Sequence, residues 1–327
     1  STLALSDADF LAGNYAFGGA GKGMIANAGV LTADEGGVLA FISPRIENQG
    51  TLAAPGGSVG LAAGDRVTLD FNGDGLINLA VDSAAVDAHV VNKGLIKTDG
   101  GLAVMTARAA GELVRSVVNN EGIVEANTLV ERGGRILLDG GDAGTVENRG
   151  KLLARGDGAS ELGGDIVVTG EKVGVFGAGA IDASGNAGGG GISIGGGFQG
   201  NDPAIRNASR TFVGTDAVVR ADATGRGSGG EVVIWSDELT RVGGTVSARG
   251  GEFGGDGGDV EISSRGFLEM TGRADAGAAR GAGGRVLFDP KDLIVQAGGG
   301  AALTDVDAFA DNASGTRNRY CCTSHWC

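Results

Sequence analysis

Gly-Gly-Asp-Ile-Val-Val at residues 163–168 decides the fold of this chain, because the same pattern of two glycines and a short aliphatic segment returns along its length. Residues 36–41 read Gly-Gly-Val-Leu-Ala-Phe, residues 133–138 Gly-Gly-Arg-Ile-Leu-Leu, residues 229–234 Gly-Gly-Glu-Val-Val-Ile and residues 283–288 Gly-Gly-Arg-Val-Leu-Phe. Recurrence at intervals of roughly 20 to 40 residues is typical of a solenoid, whose repeats bury their apolar faces only against one another. The pattern predicts an all-β solenoid with one short strand after each glycine pair.

A second recurring element is Asn-x-Gly, which each time precedes a short apolar segment. It occurs at residues 27–29, 48–50, 92–94, 120–122 and 148–150. Because Asn and Gly tolerate positive φ, we expect a corner at this element and another at the glycine pair. Coils of roughly 20–30 residues with two or three strands each would then stack about 4.8 Å apart, and ten to twelve of them would form a rod of about 50–60 Å.

Beyond about residue 150 the repeat changes to the form apolar, polar, Ala, polar, small. Residues 181–185, 219–223 and 246–250 follow it. We expect the alanine to point inward at a tight corner and its polar neighbours to point outward. Glycine every few residues excludes long helices, since each costs about 1 kcal/mol in a helix interior. Only residues 80–90 and 301–310 are predicted to form helical turns, as excursions from the coil.

Composition favours one continuous domain over residues 1–316. The chain has 327 residues, with 66 glycines and 4 prolines. No apolar stretch approaches 18 residues, so no membrane-spanning helix is predicted. The net charge of -14 opposes binding to nucleic acid, because a nucleic-acid-binding surface must be basic to displace counterions from phosphates. No signal peptide is visible at the N-terminus.

Several segments in order resemble the N-terminal region of filamentous haemagglutinin-type exoproteins of Gram-negative bacteria. They are residues 6–13 (Ser-Asp-Ala-Asp-Phe-Leu-Ala-Gly), 27–29, 64–71 (Gly-Asp-Arg-Val-Thr-Leu-Asp-Phe), 73–76 (Gly-Asp-Gly-Leu) and 287–294 (Leu-Phe-Asp-Pro-Lys-Asp-Leu-Ile). The resemblance covers roughly residues 1–312.

The resemblance implies a right-handed parallel β-helix that is exported by two-partner secretion through an outer-membrane β-barrel transporter. It also implies a secreted or surface-attached protein whose commonest role is adhesion to a host-cell receptor or glycan. The family begins with a signal peptide and an Asn-Pro-Asn-Gly-type motif, and neither is present here. We therefore expect that this chain alone is not recognised properly by its transporter.

Two short motifs are candidate binding sites. Asp70, Asn72 and Asp74 alternate in Asp-Phe-Asn-Gly-Asp-Gly like the opening of a calcium-binding EF-hand loop, although the twelfth position is valine; the alternative is a polar β-turn. No other cofactor is predicted. Arg155, Gly156 and Asp157 form an integrin-type tripeptide in a predicted turn, and such a tripeptide also arises by chance in a chain rich in these residues.

The competing function is a polysaccharide-acting β-helix enzyme, either a lyase or a glycoside hydrolase. Such an enzyme needs several carboxylates and a basic residue converging in one groove. The acidic residues here are scattered through turns, so we predict no catalysis. Three or more carboxylates within hydrogen-bond distance of one groove would favour the enzyme.

Residues 317–327 form a tail that differs from the rest of the chain, and we do not expect it to pack on the rod. All three cysteines lie in it. Three interpretations remain open, in this order: an altered reading frame after Thr316, a redox or disulfide anchor, and a zinc site. The zinc ligands would be Cys321, Cys322, His325 and Cys327.

Overall fold

The computed structural model describes residues 1–19, 23–71, 76–110, 117–129, 132–291 and 308–309. A short helix, α1 (Asp7–Leu11), precedes the first strand, and the side chain of Ser6 caps it by accepting the backbone N–H of Asp9. The strands of the first half are β1 (Tyr15–Gly18), β2 (Met24–Asn27), β3 (Val30–Thr32), β4 (Val38–Ile42), β5 (Arg45–Asn48), β6 (Thr51–Ala53), β7 (Ser58–Ala63), β8 (Arg66–Phe71), β9 (Ile77–Ser83), β10 (His89–Asn92), β11 (Leu95–Lys97), β12 (Leu102–Ala107), β13 (Val118–Asn120), β14 (Ile123–Glu125) and β15 (Arg135–Asp139).

The second half continues with strands of similar lengths. They are β16 (Thr145–Asn148), β17 (Lys151–Leu153), β18 (Asp165–Thr169), β19 (Lys172–Val175), β20 (Ala180–Asp182), β21 (Gly191–Ile194), β22 (Arg210–Val213), β23 (Val218–Arg220), β24 (Glu231–Ile234), β25 (Leu239–Val242), β26 (Thr245–Ser247), β27 (Asp259–Ser264), β28 (Phe267–Met270), β29 (Arg273–Asp275) and β30 (Arg285–Pro290). A 3-10 turn, Phe198–Gly200, lies between β21 and β22.

Three parallel sheets of nine strands run along the rod. Sheet I contains β2, β5, β10, β13, β16, β19, β22, β25 and β28; sheet II contains β3, β6, β11, β14, β17, β20, β23, β26 and β29; sheet III contains β4, β7, β12, β15, β18, β21, β24, β27 and β30. Each coil passes through the sheets in that order, so the chain is a right-handed parallel β-helix as predicted. Nine coils at about 4.8 Å per step give the described part a length of about 38 Å, which is shorter than the predicted rod.

The core is a column of aliphatic side chains inside the coils. Each strand alternates inward and outward residues, and the inward ones stack on their equivalents in the next coil, as Leu152 stacks on Ile181 and Ile181 on Val219. Such side chains are almost completely buried. Because every repeat buries its apolar face only against its neighbours, stability depends on the coils staying in register.

The glycine pairs do form corners, but the reason predicted from the sequence is wrong. Among the described glycine pairs that immediately precede a sheet III strand, only those at 36–37, 56–57 and 100–101 contain a positive φ, each at the first residue. The second glycines instead form a column at the entry to sheet III, where a Cβ would overlap backbone: at Gly134 it would overlap the carbonyl of Ala126, and at Gly164 that of Gly134. Close backbone approach, not backbone twist, requires glycine there.

Residues 80–90 are not helical, contrary to the prediction. Strands β8 and β9 form an antiparallel hairpin inserted between sheet III and sheet I, and β1 pairs with β8. The hairpin lies across the outer face of sheet III, where Leu79 packs so closely on Gly60 that a Cβ would clash with its side chain. This small second core explains why six consecutive residues of β7 are buried on both faces.

Trp235 and Phe212 are buried, although neither points into the coil. Trp235 is covered from outside by the loop between β21 and β22, whose Gly200 touches the indole so closely that a Cβ would overlap it. Phe212 stacks with Phe176 on the outer face of sheet I, where Phe309 also packs against Phe176. Residues 308–309 therefore lie on the side of the rod.

The loop over Trp235 is held by a buried carboxylate. Glu261 is 2% exposed, and its two oxygens accept the backbone N–H of Gln199 at 3.2 and 3.0 Å. Gln199 has φ of 52°, the one positive value among described residues other than glycine. Burial raises the pKa of Glu261 above its ordinary value. Removing the carboxylate from water therefore disfavours its charged form in the folded protein.

The buried carboxylate gives a pH-dependent prediction. The pKa of Glu261 is higher in the folded protein than in the unfolded chain. Its contribution to the free energy of folding is therefore fully present at a pH below the unfolded pKa, and it is lost as the pH rises through the folded pKa. Glu261→Gln is neutral at every pH and keeps an oxygen to accept the Gln199 N–H. We expect it to gain stability relative to wild type between pH 4 and pH 7 in thermal melts. A difference that stays constant across that range would contradict a buried, titrating Glu261.

Candidate functional site

A groove runs along the corner between sheets II and III. An alanine follows every sheet II strand except β11, which is followed by Thr98, and this alanine is buried at Ala154, Ala183, Ala221 and Ala248. This confirms the interpretation of the apolar, polar, Ala, polar, small repeat. Parallel pairing continues past the alanine, since Gly156 bridges Gly185. The polar residues on either side of the alanine consequently form outward-facing columns spaced by one coil.

These columns line a cavity of about 740 Å³ that is open along one side. Its size is in the range of small-ligand sites, which are commonly 300–1,000 Å³. Its charged lining consists of three arginines and five carboxylates: Arg155, Arg220, Arg249, Asp157, Asp182, Asp222, Glu252 and Asp275. Glycine, alanine, serine and threonine supply the rest of the lining. The groove is therefore strongly polar and contains no aromatic ring among its described lining residues.

One ion pair forms the floor of the groove. Asp222, 5% exposed, accepts from Arg249 Nη2 at 2.8 Å, from Arg249 Nε at 3.1 Å and from the Arg249 backbone N–H at 2.7 Å. The hydrogen bond to Asp222 raises the pKa of the Arg249 guanidinium. A buried carboxylate with three donors is held rigidly, so this pair fixes the spacing of two coils.

The predicted integrin-type tripeptide lies in this groove. Arg155 Nη2 pairs with Asp157 Oδ2 at 3.3 Å, and Asp157 is the more exposed of the two. Gly156 belongs to the coil: its N–H donates to Ser184 at 3.0 Å and its carbonyl accepts from Asn186 at 2.7 Å. Recognition of the tripeptide by a partner remains a prediction, in which the partner meets a motif fixed on the surface of the rod.

The described residues include only the first candidate ligand of the predicted calcium motif. Asp70 lies near the end of β8, exposed and opposite Asn78 of β9. Asn72 and Asp74 lie outside the described residues, so calcium binding remains a prediction. The cysteine-containing tail, residues 317–327, also lies outside them, and its three interpretations stay open.

The five carboxylates of the groove meet the number that the sequence analysis set for the enzyme alternative. They act separately: Asp182 accepts the backbone N–H of Ser184 at 3.0 Å, and Asp275 that of Gly277 at 2.9 Å. Within the described ranges, no three His, Cys, Asp or Glu side chains lie close enough together to hold a metal ion.

Sequence reasoning missed Arg220, Asp222 and Arg249 as groove residues. The signal was present in the repeat at 219–223 and 246–250, whose polar positions were interpreted only as outward-facing. Their convergence depends on which coils are neighbours, and insertions of variable length between coils hide that register in the sequence.

Comparisons with known proteins agree with this architecture. No protein-family model and no curated protein matches the chain. Among solved structures, it is similar to the crystal structure of the HMW1 secretion domain from Haemophilus influenzae, with a TM-score of 0.73 and 26% sequence identity over 88% of this chain and 73% of that chain. This similarity confirms the resemblance predicted from the sequence motifs. No described helix has the length and apolar character needed to span a membrane.

Proposed function

We propose that this chain is the secretion domain of a Gram-negative exoprotein, exported by two-partner secretion through an outer-membrane β-barrel transporter, and that its rod then serves as an adhesin outside the cell. The similarity to the HMW1 secretion domain carries this proposal, because it extends over 88% of the chain. The ordered sequence segments that resemble filamentous haemagglutinin-type proteins support it independently.

The architecture suits both steps of this function. A solenoid is built from local contacts between successive coils, so each coil can add to the previous one as the chain emerges from a narrow transporter. Outside the cell, the same stack is a stiff rod that presents columns of polar side chains to a receptor or glycan. Five carboxylates and three arginines line the groove, so a polysaccharide-acting enzyme remains the alternative to the adhesive role.

Export is the direct test. We expect the chain, preceded by a signal peptide and an Asn-Pro-Asn-Gly-type segment, to reach the culture medium only when its cognate transporter is co-expressed. Immunoblots of medium and periplasm measure this. The matched control carries the signal peptide without the Asn-Pro-Asn-Gly-type segment, and we expect it to stay in the periplasm. Retention of the complete version beside its transporter would contradict the secretion assignment.

Adhesion is tested separately with purified protein. Beads coated with the folded domain should bind host epithelial cells above the level of albumin-coated beads. If export succeeds while the coated beads do not bind, the secretion assignment stands and the adhesive role of this rod is wrong.

A further inference from the structure

A small aromatic cluster lies on the outer face of sheet I, apart from the aliphatic column inside the coils. It contains Phe176, which follows β19, and Phe212 of β22, whose ring centroids are 5.3 Å apart. Phe212 alternates with Val213, which belongs to the column inside the coils, so Phe212 points outward. Phe212 is nevertheless fully buried. An outward residue of a sheet is buried only when other groups cover it from outside.

The sheet is shaped to hold the ring of Phe176 in place. Gly174 is the neighbour of Phe212 in the register of β19 and β22, and a Cβ at Gly174 would overlap the Phe176 ring. The absence of a side chain there leaves room for the ring against the sheet. Arg149 adds a cation–π contact, with its guanidinium carbon 4.5 Å from the ring centroid of Phe176. Phe176, Phe212 and Gly174 together form an aromatic socket.

Residues 308–309 occupy this socket. The ring of Phe309 meets that of Phe176 edge to face, with 5.9 Å between the centroids and an angle of 84° between the planes. Ala308 is 3% exposed and packs in the same cluster. Arg210 Nη1 donates to the backbone carbonyl of Phe309 at 2.6 Å. The socket therefore holds both the side chain and the backbone of Phe309.

The position of the socket shows that the chain reverses direction along the rod. Strand β30 belongs to the ninth coil, whereas β19 and β22 belong to the sixth and seventh. Strand β22 lies two steps before β28, the last described strand of sheet I, which corresponds to about 10 Å along the axis. Residues 308–309 follow β30 in sequence, yet they lie on coils that formed earlier in the chain. They are docked on the side of the rod and are not stacked on the edge of β28.

We propose that the aromatic socket is an intramolecular docking site for Phe309, which fastens the chain that follows the ninth coil to the side of sheet I. The docked residues cover Phe212, so this part of the outer face of sheet I is closed to a receptor. Chain beyond residue 309 starts from the side of the rod. This inference does not rest on the proposed export or adhesion.

Limited digestion of the full chain with chymotrypsin tests the docking, because this protease cleaves after phenylalanine only where the segment can enter its active site. We expect Phe176→Ala to accelerate cleavage after Phe309 by about tenfold or more, since loss of the ring contact raises the population in which the segment is released. Mass spectrometry of the fragment that comprises residues 1–309 measures the rate. Thermal melts show whether the variant is folded.

Two controls and a second variant separate docking from a general loss of stability. Phe253→Ala removes an exposed phenylalanine and should be cleaved after Phe309 at the wild-type rate. Arg210→Gln leaves the aromatic rings intact and removes the donor to the Phe309 carbonyl, so cleavage should also accelerate. Its matched control is Arg265→Gln, because both arginines also form an ion pair with a carboxylate, Arg210 with Glu238 and Arg265 with Asp237.

Two results would overturn the proposal. Equal cleavage after Phe309 in the wild type, Phe176→Ala and Arg210→Gln would show that the socket does not hold the segment. A dimeric wild type that becomes monomeric in Phe309→Ala, measured by light scattering, would show that a second copy supplies the phenylalanine. A monomeric wild type with slow cleavage after Phe309 that both socket variants accelerate would support the intramolecular docking.

Discussion

Gly134→Val is expected to abolish folding of the rod or to destabilise it by about 4 kcal/mol or more. A Cβ at this buried position would overlap the carbonyl of Ala126, and backbone atoms cannot move aside as the end of a flexible side chain can. The overlap would push strand β15 away from β12, which it pairs with over five residues. Chemical denaturation followed by circular dichroism measures the loss.

The adjacent glycine provides the matched control. Gly133 is exposed, its φ lies outside the left-handed region, and a Cβ there meets no described atom within 4 Å. Gly133→Val should change stability by about 0.5 kcal/mol or less. An equal loss of stability for the two variants would show that the glycine pair acts through chain flexibility. Close backbone packing would then not explain the column of glycines at the entry to sheet III.

This pair of positions shows what the sequence could and could not predict. The recurrence of Gly-Gly before an aliphatic strand identified the solenoid and the location of the corners, because both depend on local spacing. The requirement at Gly134 depends on the distance to Ala126 across the corner, which is a property of the folded coil. Positive φ is the local explanation for glycine, and it is correct at Gly36 but wrong at Gly134.

The groove illustrates the same limit for function. The alternation around Ala221 correctly predicted which side chains face outward, since strand periodicity is local. The pairing of Arg249 with Asp222 joins residues 27 positions apart. That Arg155 Nε is buried without a hydrogen-bond partner becomes visible only when all its neighbours are known. The hairpin formed by β8 and β9 was missed because tertiary packing on sheet III stabilises it.

The Asn-x-Gly corners likewise have a structural role that differs from the predicted one. The asparagines at 27, 48, 92, 120 and 148 each end a strand of sheet I, and none has positive φ. Their side chains form a buried ladder in which the amide nitrogen of each asparagine except Asn148 donates to the amide oxygen of the next asparagine at 2.8 Å. The glycines that follow form a second column of close backbone contacts, as Gly122 does with Gly94.

Breaking this ladder in its middle should have the second large effect. Asn120 is fully buried, accepts from Asn92 and donates to Asn148. Asn120→Ala leaves one donor and one acceptor without partners inside the rod, where water cannot replace the lost bonds. With about 1–3 kcal/mol for each orphaned group, we expect a loss of about 2–5 kcal/mol in the free energy of unfolding. Denaturant titration at neutral pH measures it.

Two further variants test whether the loss of stability comes from the broken amide ladder or would follow from any substitution at this corner. Glu121 is the exposed middle residue of the same motif, and Glu121→Ala should change stability by about 0.5 kcal/mol or less. In Asn92→Ala with Asn120→Ala, the bond between the two amides is removed by either change alone, so the combined loss should be smaller than the sum of the single losses. Strict additivity would mean that the two asparagines act independently. The stability of the rod would then depend on its aliphatic column alone, and the ladder would only set the direction of the chain at each corner.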